Sequence, residues 1–200
     1  MKSIIYYTDN RLDEEITRRV QGQILKSGLP IVSCSLKPID FGKNIVLDLS
    51  PGPTTMFKQI LTALKASQAE SVFFCEHDVL YHLSHFDFIP PNDNIFYYNT
   101  NAWRWAYLEN KAVTYDHFRS VSGLCVNREK AINNYEKRLK LIIEKEYDKL
   151  QTRGNPGWAR KMGYEPGKPK RIGGFSDDVV EEWRSEYPNI DIRHKRTMTP

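Results

Sequence analysis

Short apolar runs alternate with stripes of helical period through the first eighty residues, the pattern of βα units that feed a largely parallel sheet. Lys2 to Thr8 reads as a buried first strand. From about Leu12 to Lys26, the residues Leu12, Ile16, Val20 and Ile24 form one helical face, which Gly28 and Pro30 bring to a stop. Ile31 to Leu36 and Asn44 to Leu49 predict a second and a third strand. The turn Ser50-Pro51-Gly52-Pro53 hands over to a helix starting near Thr54, with Met56, Ile60, Leu61 and Leu64 inside. Ser71 to Cys75 follows as a fourth strand.

The second half is less regular. Ile95 to Tyr98 is strand-like, and Trp103, Trp105 and Tyr107 alternate on one face of a further strand, an arrangement expected to be core. Val121 to Val126 is apolar again. Asn127 is placed to cap a long helix reaching about Gln151, with Ala131, Ile132, Tyr135, Leu139, Ile142 and Leu150 on its inward face. Residues 153–174 differ in kind, holding six of the eleven glycines, three prolines, six basic residues and one acid, Glu165. This stretch reads as a long loop within the domain, of the sort that often forms a lid.

Two hundred residues with 40% hydrophobic and 27% charged content predict one globular domain spanning 1–200. No apolar run approaches the ~18 residues of a membrane span, and the first strand begins without a signal-peptide pattern. Cys34, Cys75 and Cys125 form no CxxC spacing and leave an odd count, which fits small buried thiols in a reducing compartment. The expected location is therefore cytoplasmic. A net charge of +4 permits an anionic ligand such as a nucleotide without indicating nucleic acid.

The densest chemistry lies in Val72 to Leu80 (VFFCEHDVL), where an apolar strand runs into Glu76, His77 and Asp78. If strand alternation continues, Glu76 and Asp78 share one face while Cys75 and His77 share the other. Two carboxylates at a strand's carboxyl end sit where open α/β sheets bind ligands, and they suit a hard divalent cation that bridges phosphates. Cys75, His77, His82 and His85 invite a zinc reading, but the same alternation separates them, so histidines of the core or of the site's surroundings are expected instead.

The order of these features resembles that of GT-A fold glycosyltransferases, the nucleotide-sugar-dependent class, in its inverting, family-2-like form. Glu76-His77-Asp78 is similar to that class's Asp-x-Asp metal motif, with Glu in place of the first Asp. Thr8-Asp9-Asn10 is similar to the place where such enzymes hold the nucleoside. Ser176-Asp177-Asp178-Val179-Val180-Glu181, ahead of Trp183, looks like the acidic motif that opens a helix and supplies the base. His194, in Asp191-Ile192-Arg193-His194, sits where several members return a late histidine to the metal. The chain stops six residues after His194, which implies a short or missing acceptor-binding extension.

The resemblance implies an α/β, Rossmann-like three-layer sandwich with a mostly parallel central sheet. It implies sugar transfer from a nucleotide sugar, expected to be a UDP-sugar, to an acceptor hydroxyl, with inversion expected and retention open. Asp78, with Glu76 and His194, would hold Mn²⁺ or Mg²⁺ to stabilise the departing diphosphate, the histidine favouring Mn²⁺. Asp178, or else Asp177, would be the base. Thr8, Asp9, Asn10 and Glu76 would contact the nucleotide, and Arg153, Arg160, Lys161, Lys170 or Arg171 would close over its phosphates. The acceptor stays open among a glycan, lipid-linked sugar, small molecule, protein side chain and hydroxylated DNA base, and oligomeric state is not specified.

Each residue also has a plainer reading. Glu76 and Asp78 can end a strand as solvated charges, Asp177 and Asp178 can favour a helix start, and Asp9 and Asn10 are ordinary turn residues. A nucleotidyltransferase or phosphohydrolase using the same carboxylates, or a non-catalytic binding module on the same fold, are the alternatives.

Overall fold

The computed structural model describes residues 1–147, 157–168 and 171–194. It is an α/β three-layer structure built on a seven-stranded sheet. The strands β1 (Lys2–Thr8), β2 (Ile31–Ser35), β3 (Lys43–Val46) and β4 (Ser71–Glu76) alternate with helices α1 (Glu14–Leu25) and α2 (Pro53–Ala66), as the periodicity predicts. Asp13 caps α1 by accepting from Glu15 N and Ile16 N, and Pro53 opens α2, where its missing N–H costs nothing. A short β5 (Val79–Leu80) follows β4 after a two-residue turn.

Then come β6 (Ile95–Asn99), β7 (Ala102–Ala106), β8 (Lys111–Val113) and β9 (Leu124–Asn127). Helix α3 (Arg128–Glu144) is capped by Asn127 as expected but ends at Glu144, short of the expected Gln151, because Lys145 closes it and Glu146 turns to a positive φ of 50°; Leu150 and Gln151 lie outside the described residues. Residues 153–174 are not loop throughout, because Gly157–Met162 forms a short helix, α4. The chain closes with β10 (Val179–Trp183) and β11 (Asn189–Arg193).

The central sheet runs β10-β6-β9-β4-β1-β2-β3, and only β9 opposes the rest. Alternation along β1 divides the core. Ile5 and Tyr7 face α2, α3 and α4, whereas Ile4 and Tyr6 face α1 and the segment around Tyr81 and Phe86. Strands β5-β11-β7-β8 form a second, four-stranded sheet. Among the described residues, no helix is long and apolar enough to cross a membrane.

Two expectations are corrected by this arrangement. The Ser176–Glu181 segment does not open a helix: it turns into β10, which runs parallel to β6 and satisfies its backbone there. The Trp103 and Trp105 face is not core, being 39% and 37% exposed, while the intervening Arg104 points inward. Alternation assigns residues to faces without saying which face is buried. Arg104, between the two aromatics, is the residue whose side chain borders the cleft. The side chain of Tyr107, the third residue of that expected face, lies outside the description.

Candidate functional site

The chain order β1-β2-β3 moves one way across the sheet and β4 then starts on the other side of β1, so the carboxyl ends of β1 and β4 flank the point where the order reverses. Crevices form at such points because adjoining connections diverge above and below the sheet. Here the crevice is a cleft of about 210 Å³. Thr8, Asp9 and Arg11 border it from β1, Pro51 and Gly52 from the amino end of α2, and Glu76, His77 and Asp78 from β4. The smaller sheet contributes Arg104, Asp191 and Arg193, and Tyr164 and Glu165 complete the wall beside Ser120 and Ser122.

His77, Asp78 and His194 form a group whose potential ligand atoms all lie within 4.8 Å of one another. His194 Nε2 is 3.2 Å from Asp78 Oδ2, and Ile192 N donates to the Asp78 carbonyl at 2.8 Å, so β11 delivers the late histidine onto the β4 end. His77 Nδ1 is hydrogen-bonded to Thr8 Oγ1 at 2.7 Å. Burial alone would raise the Asp78 carboxyl, but the His194 hydrogen bond and the neighbouring imidazoles outweigh it and hold the acid below its ordinary range.

Glu76 stands apart from this group. It is the register partner of Tyr7, whose hydroxyl donates to Glu76 Oε1 at 2.6 Å. Burial, reinforced by the nearby Asp78 charge, raises its carboxyl well above the ordinary value. The expectation that Glu76 and Asp78 share a face and His77 the other is thus corrected, because β4 ends at Glu76 and His77-Asp78 form a turn. Period-two alternation lapses there, and the turn brings His77 into one ligand group with Asp78, while the Glu76 carboxyl stays near enough to feel the Asp78 charge.

The other expected residues are dispersed. Thr8 and Asp9 are on the cleft, with Asp9 held to Arg11 by an ion pair of 2.5 Å. Asn10 is spent on structure: at φ 59° its Oδ1 accepts from Leu36 N and Lys37 N, joining the loops after β1 and β2. Cys75 and His85 are buried in the core, and His82 binds Ser84, so they do not gather around His77.

Asp177 and Asp178 precede a strand parallel to β4 and therefore lie at the sheet's opposite end, away from the cleft. Asp177 pairs with Lys137 at 2.5 Å. Asp178 accepts from Asn134 Nδ2 and from the backbone N–H groups of Gly167 and Phe175. The pair expected to supply the base thus does not border the cleft. Arg171 is exposed beside Gly163 and does not border the cleft. Arg153, Lys170 and the side chain of Arg160 lie outside the described residues.

Four functional candidates escaped the sequence reading. Arg104, Asp191 and Arg193 form a cluster on the cleft wall, with Asp191 Oδ2 3.6 Å from Arg104 Nε and 3.7 Å from an Arg193 nitrogen. Arg138 is fully buried, donating to Asn134 Oδ1 and to the carbonyls of Gly163, Glu165 and Gly173. It anchors the segment that carries Tyr164 and Glu165 into the cleft. A side chain at position 173 is excluded, since its Cβ would sit 2.6 Å from Arg138 Nη1. The sign of Arg138 was its place at i+7 from Ala131 and i+3 from Tyr135, on the apolar stripe of α3.

No family model matches this chain, and no curated protein matches it in sequence. Among solved structures it is similar to the bifunctional IspDF from Campylobacter jejuni, at 12% identity over 70% of this chain and 44% of that one, with a TM-score of 0.47. It is similar also to a glycosyltransferase involved in the glycosylation of the major capsid of PBCV-1, at 11% identity over 90% and 81% of the two chains and a TM-score of 0.49. A third is the galactosyltransferase LgtC in complex with donor and acceptor sugar analogs, at 13% identity over 76% and 67%, with a TM-score of 0.44. The chain spans less than half the length of IspDF. Likeness at this level assigns neither substrate nor residue roles.

Proposed function

We propose that this chain is a glycosyltransferase domain that moves a sugar from a nucleotide donor, a UDP-sugar by preference, to an acceptor hydroxyl with the help of a divalent cation. The observation that carries the reading is the convergence of His77, Asp78 and His194 within 4.8 Å at the carboxyl end of β4, on a cleft at the sheet's switch point. Two imidazoles and a carboxylate fit a borderline cation such as Mn²⁺ better than Mg²⁺, which prefers oxygen donors. An ion bound by these three residues would supply Lewis-acid stabilisation of the departing diphosphate.

The remaining work belongs to the chain. Thr8 holds His77 through Nδ1, which leaves Nε2 for ligation and fixes the ring. Asp9 and Arg11 border the nucleoside side, and the amino end of α2, at Pro51 and Gly52, presents the positive end of a helix dipole toward phosphate. Glu76, tied to Tyr7, shapes the floor of the cleft. At about 210 Å³ the cleft is smaller than the roughly 300–1,000 Å³ of pockets that enclose a ligand, so a nucleotide sugar would extend past its rim.

With the 177–178 pair at the far end of the sheet, Glu165 is the carboxylate we assign to accept the acceptor's proton if transfer inverts. It borders the cleft, and Lys168 holds its Oε2 at 3.0 Å. The test is incubation with UDP-glucose and Mn²⁺, together with a thermal-shift panel of nucleotides with and without the metal. Metal-dependent stabilisation by UDP and release of UDP support transfer. Release of glucose 1-phosphate with UMP places the chain among phosphohydrolases instead, and its release with UTP only when pyrophosphate is added places it among nucleotidyltransferases.

A further inference from the structure

We infer that the half of the cleft walled by the smaller sheet receives an oxyanion, a carboxylate or phosphate carried by the sugar acceptor, with Arg104 as its principal contact. The inference rests on the proposed transfer only for the identity of the molecule that brings the anion.

The cluster holds two guanidinium groups and one carboxylate. Both Arg104 Nε and Arg193 lie farther from Asp191 Oδ2 than hydrogen-bond distance, at 3.6 and 3.7 Å. Arg104 Nε is buried and finds no hydrogen-bond partner among the described residues. A desolvated guanidinium N–H without an acceptor is costly, and native structures seldom leave one so. The Arg104 side chain is nevertheless held in place. Its guanidinium carbon lies 4.5 Å from the centre of the Phe118 ring and 5.4 Å from that of Tyr115. Burial, and then the charge of Arg193, weaken its hold on its proton, and the Asp191 and Glu165 carboxylates only partly offset them. A planar fork fixed against aromatic rings is suited to a carboxylate or phosphate from outside.

Arg104 stands close to the proposed ion site without belonging to its ligand group. It is the register partner of Asp191, which pairs on its other side with Val79, the residue after Asp78. The Arg104 guanidinium packs on Phe118 and Tyr115, and the residue shares the cleft wall with Ser120 and Ser122, whose hydroxyls are 2.8 Å apart.

The experiment titrates glucuronate, glucose 6-phosphate and glucose into the protein, with and without saturating UDP and Mn²⁺, and reads the melting temperature. The expected result is stabilisation by at least one anionic sugar and none by glucose, with the two anions telling carboxylate from phosphate. Arg104→Gln should weaken the anion's apparent affinity by about tenfold or more while keeping the UDP and Mn²⁺ shift. Asp191→Asn removes the internal competitor and should tighten the anion severalfold, a gain that a damaged fold cannot produce. The inference is overturned if neither anion shifts the wild type, if glucose binds as well as they do, or if Arg104→Gln loses the UDP shift together with the anion's. An anion shift that needs Arg104 in a protein indifferent to UDP upholds the anion site and removes the nucleotide reading.

Discussion

Both carboxylate oxygens of Asp178 lie within hydrogen-bond distance of Asn134 Nδ2, at 3.0 and 2.9 Å. Asn134 Oδ1 accepts from Arg138 Nε, so the buried cation and the acid are joined through one amide. Asp178→Ala removes the acceptor for Asn134 and for two backbone N–H groups. We expect a stability loss of about 1–3 kcal/mol in urea unfolding, with turnover per folded molecule retained. A thousandfold loss of turnover in a protein of wild-type stability would return Asp178 to the chemistry.

Arg138→Met should be more damaging. It leaves three carbonyls and one amide oxygen without their donor inside the core, and we expect a loss of about 3 kcal/mol or more. Hydrogen exchange should show the 163–173 segment opening before the central strands, because its anchor is gone. Uniform opening of all strands would count against Arg138 as a local clasp.

Removal of the ion's ligands gives a third expectation. Asp78→Ala and His194→Ala should each lower metal-dependent transfer by about a hundredfold or more, since even residues behind the ligands contribute 10–100-fold. Glu76→Gln should cost far less, because Glu76 is held by Tyr7 and stands outside the ligand group. Titration of Mn²⁺ by paramagnetic resonance separates the two outcomes.

His85 makes the fold sensitive to acid. Its Nδ1 faces the amide nitrogens of Asn99 and Asn189, at 3.0 and 3.1 Å, both oriented by backbone donors to their oxygens. The ring therefore accepts at Nδ1 and is neutral, and burial depresses its pKa from 6.5 to about 3. Below pH 6.5 the unfolded chain takes up a proton that the native one refuses. The stabilisation is complete above that pH and declines as pH falls, by up to about 1.4 kcal/mol per unit from this group. Urea midpoints between pH 7 and 4 should show the slope, and His85→Gln should flatten it.

The part of the fold from β1 to β4 was legible because β1 and β4 carry apolar runs and the helices α1 and α2 keep a 3.6 period. The smaller sheet was not. Its strands are two to five residues long and take partners from distant parts of the chain, as when Val79 pairs with Asp191. For the same reason Asp78 and His194 were joined only by resemblance, whereas the geometry that joins them depends on β5 and β11. His77 was assigned to the wrong face because a turn cannot be seen from an alternation rule. Asp178 was misplaced because a helix start and a strand start share the same acidic, turn-forming residues.

The separation of Asp78 from His194 by 116 positions carries a mechanical consequence. A cation clipped between them would close a very long loop and rivet the smaller sheet to the larger one, and such long closures restrict the unfolded chain most. Chelation should then act as a loosening agent, releasing β11 from the end of β4 before the rest of the molecule yields.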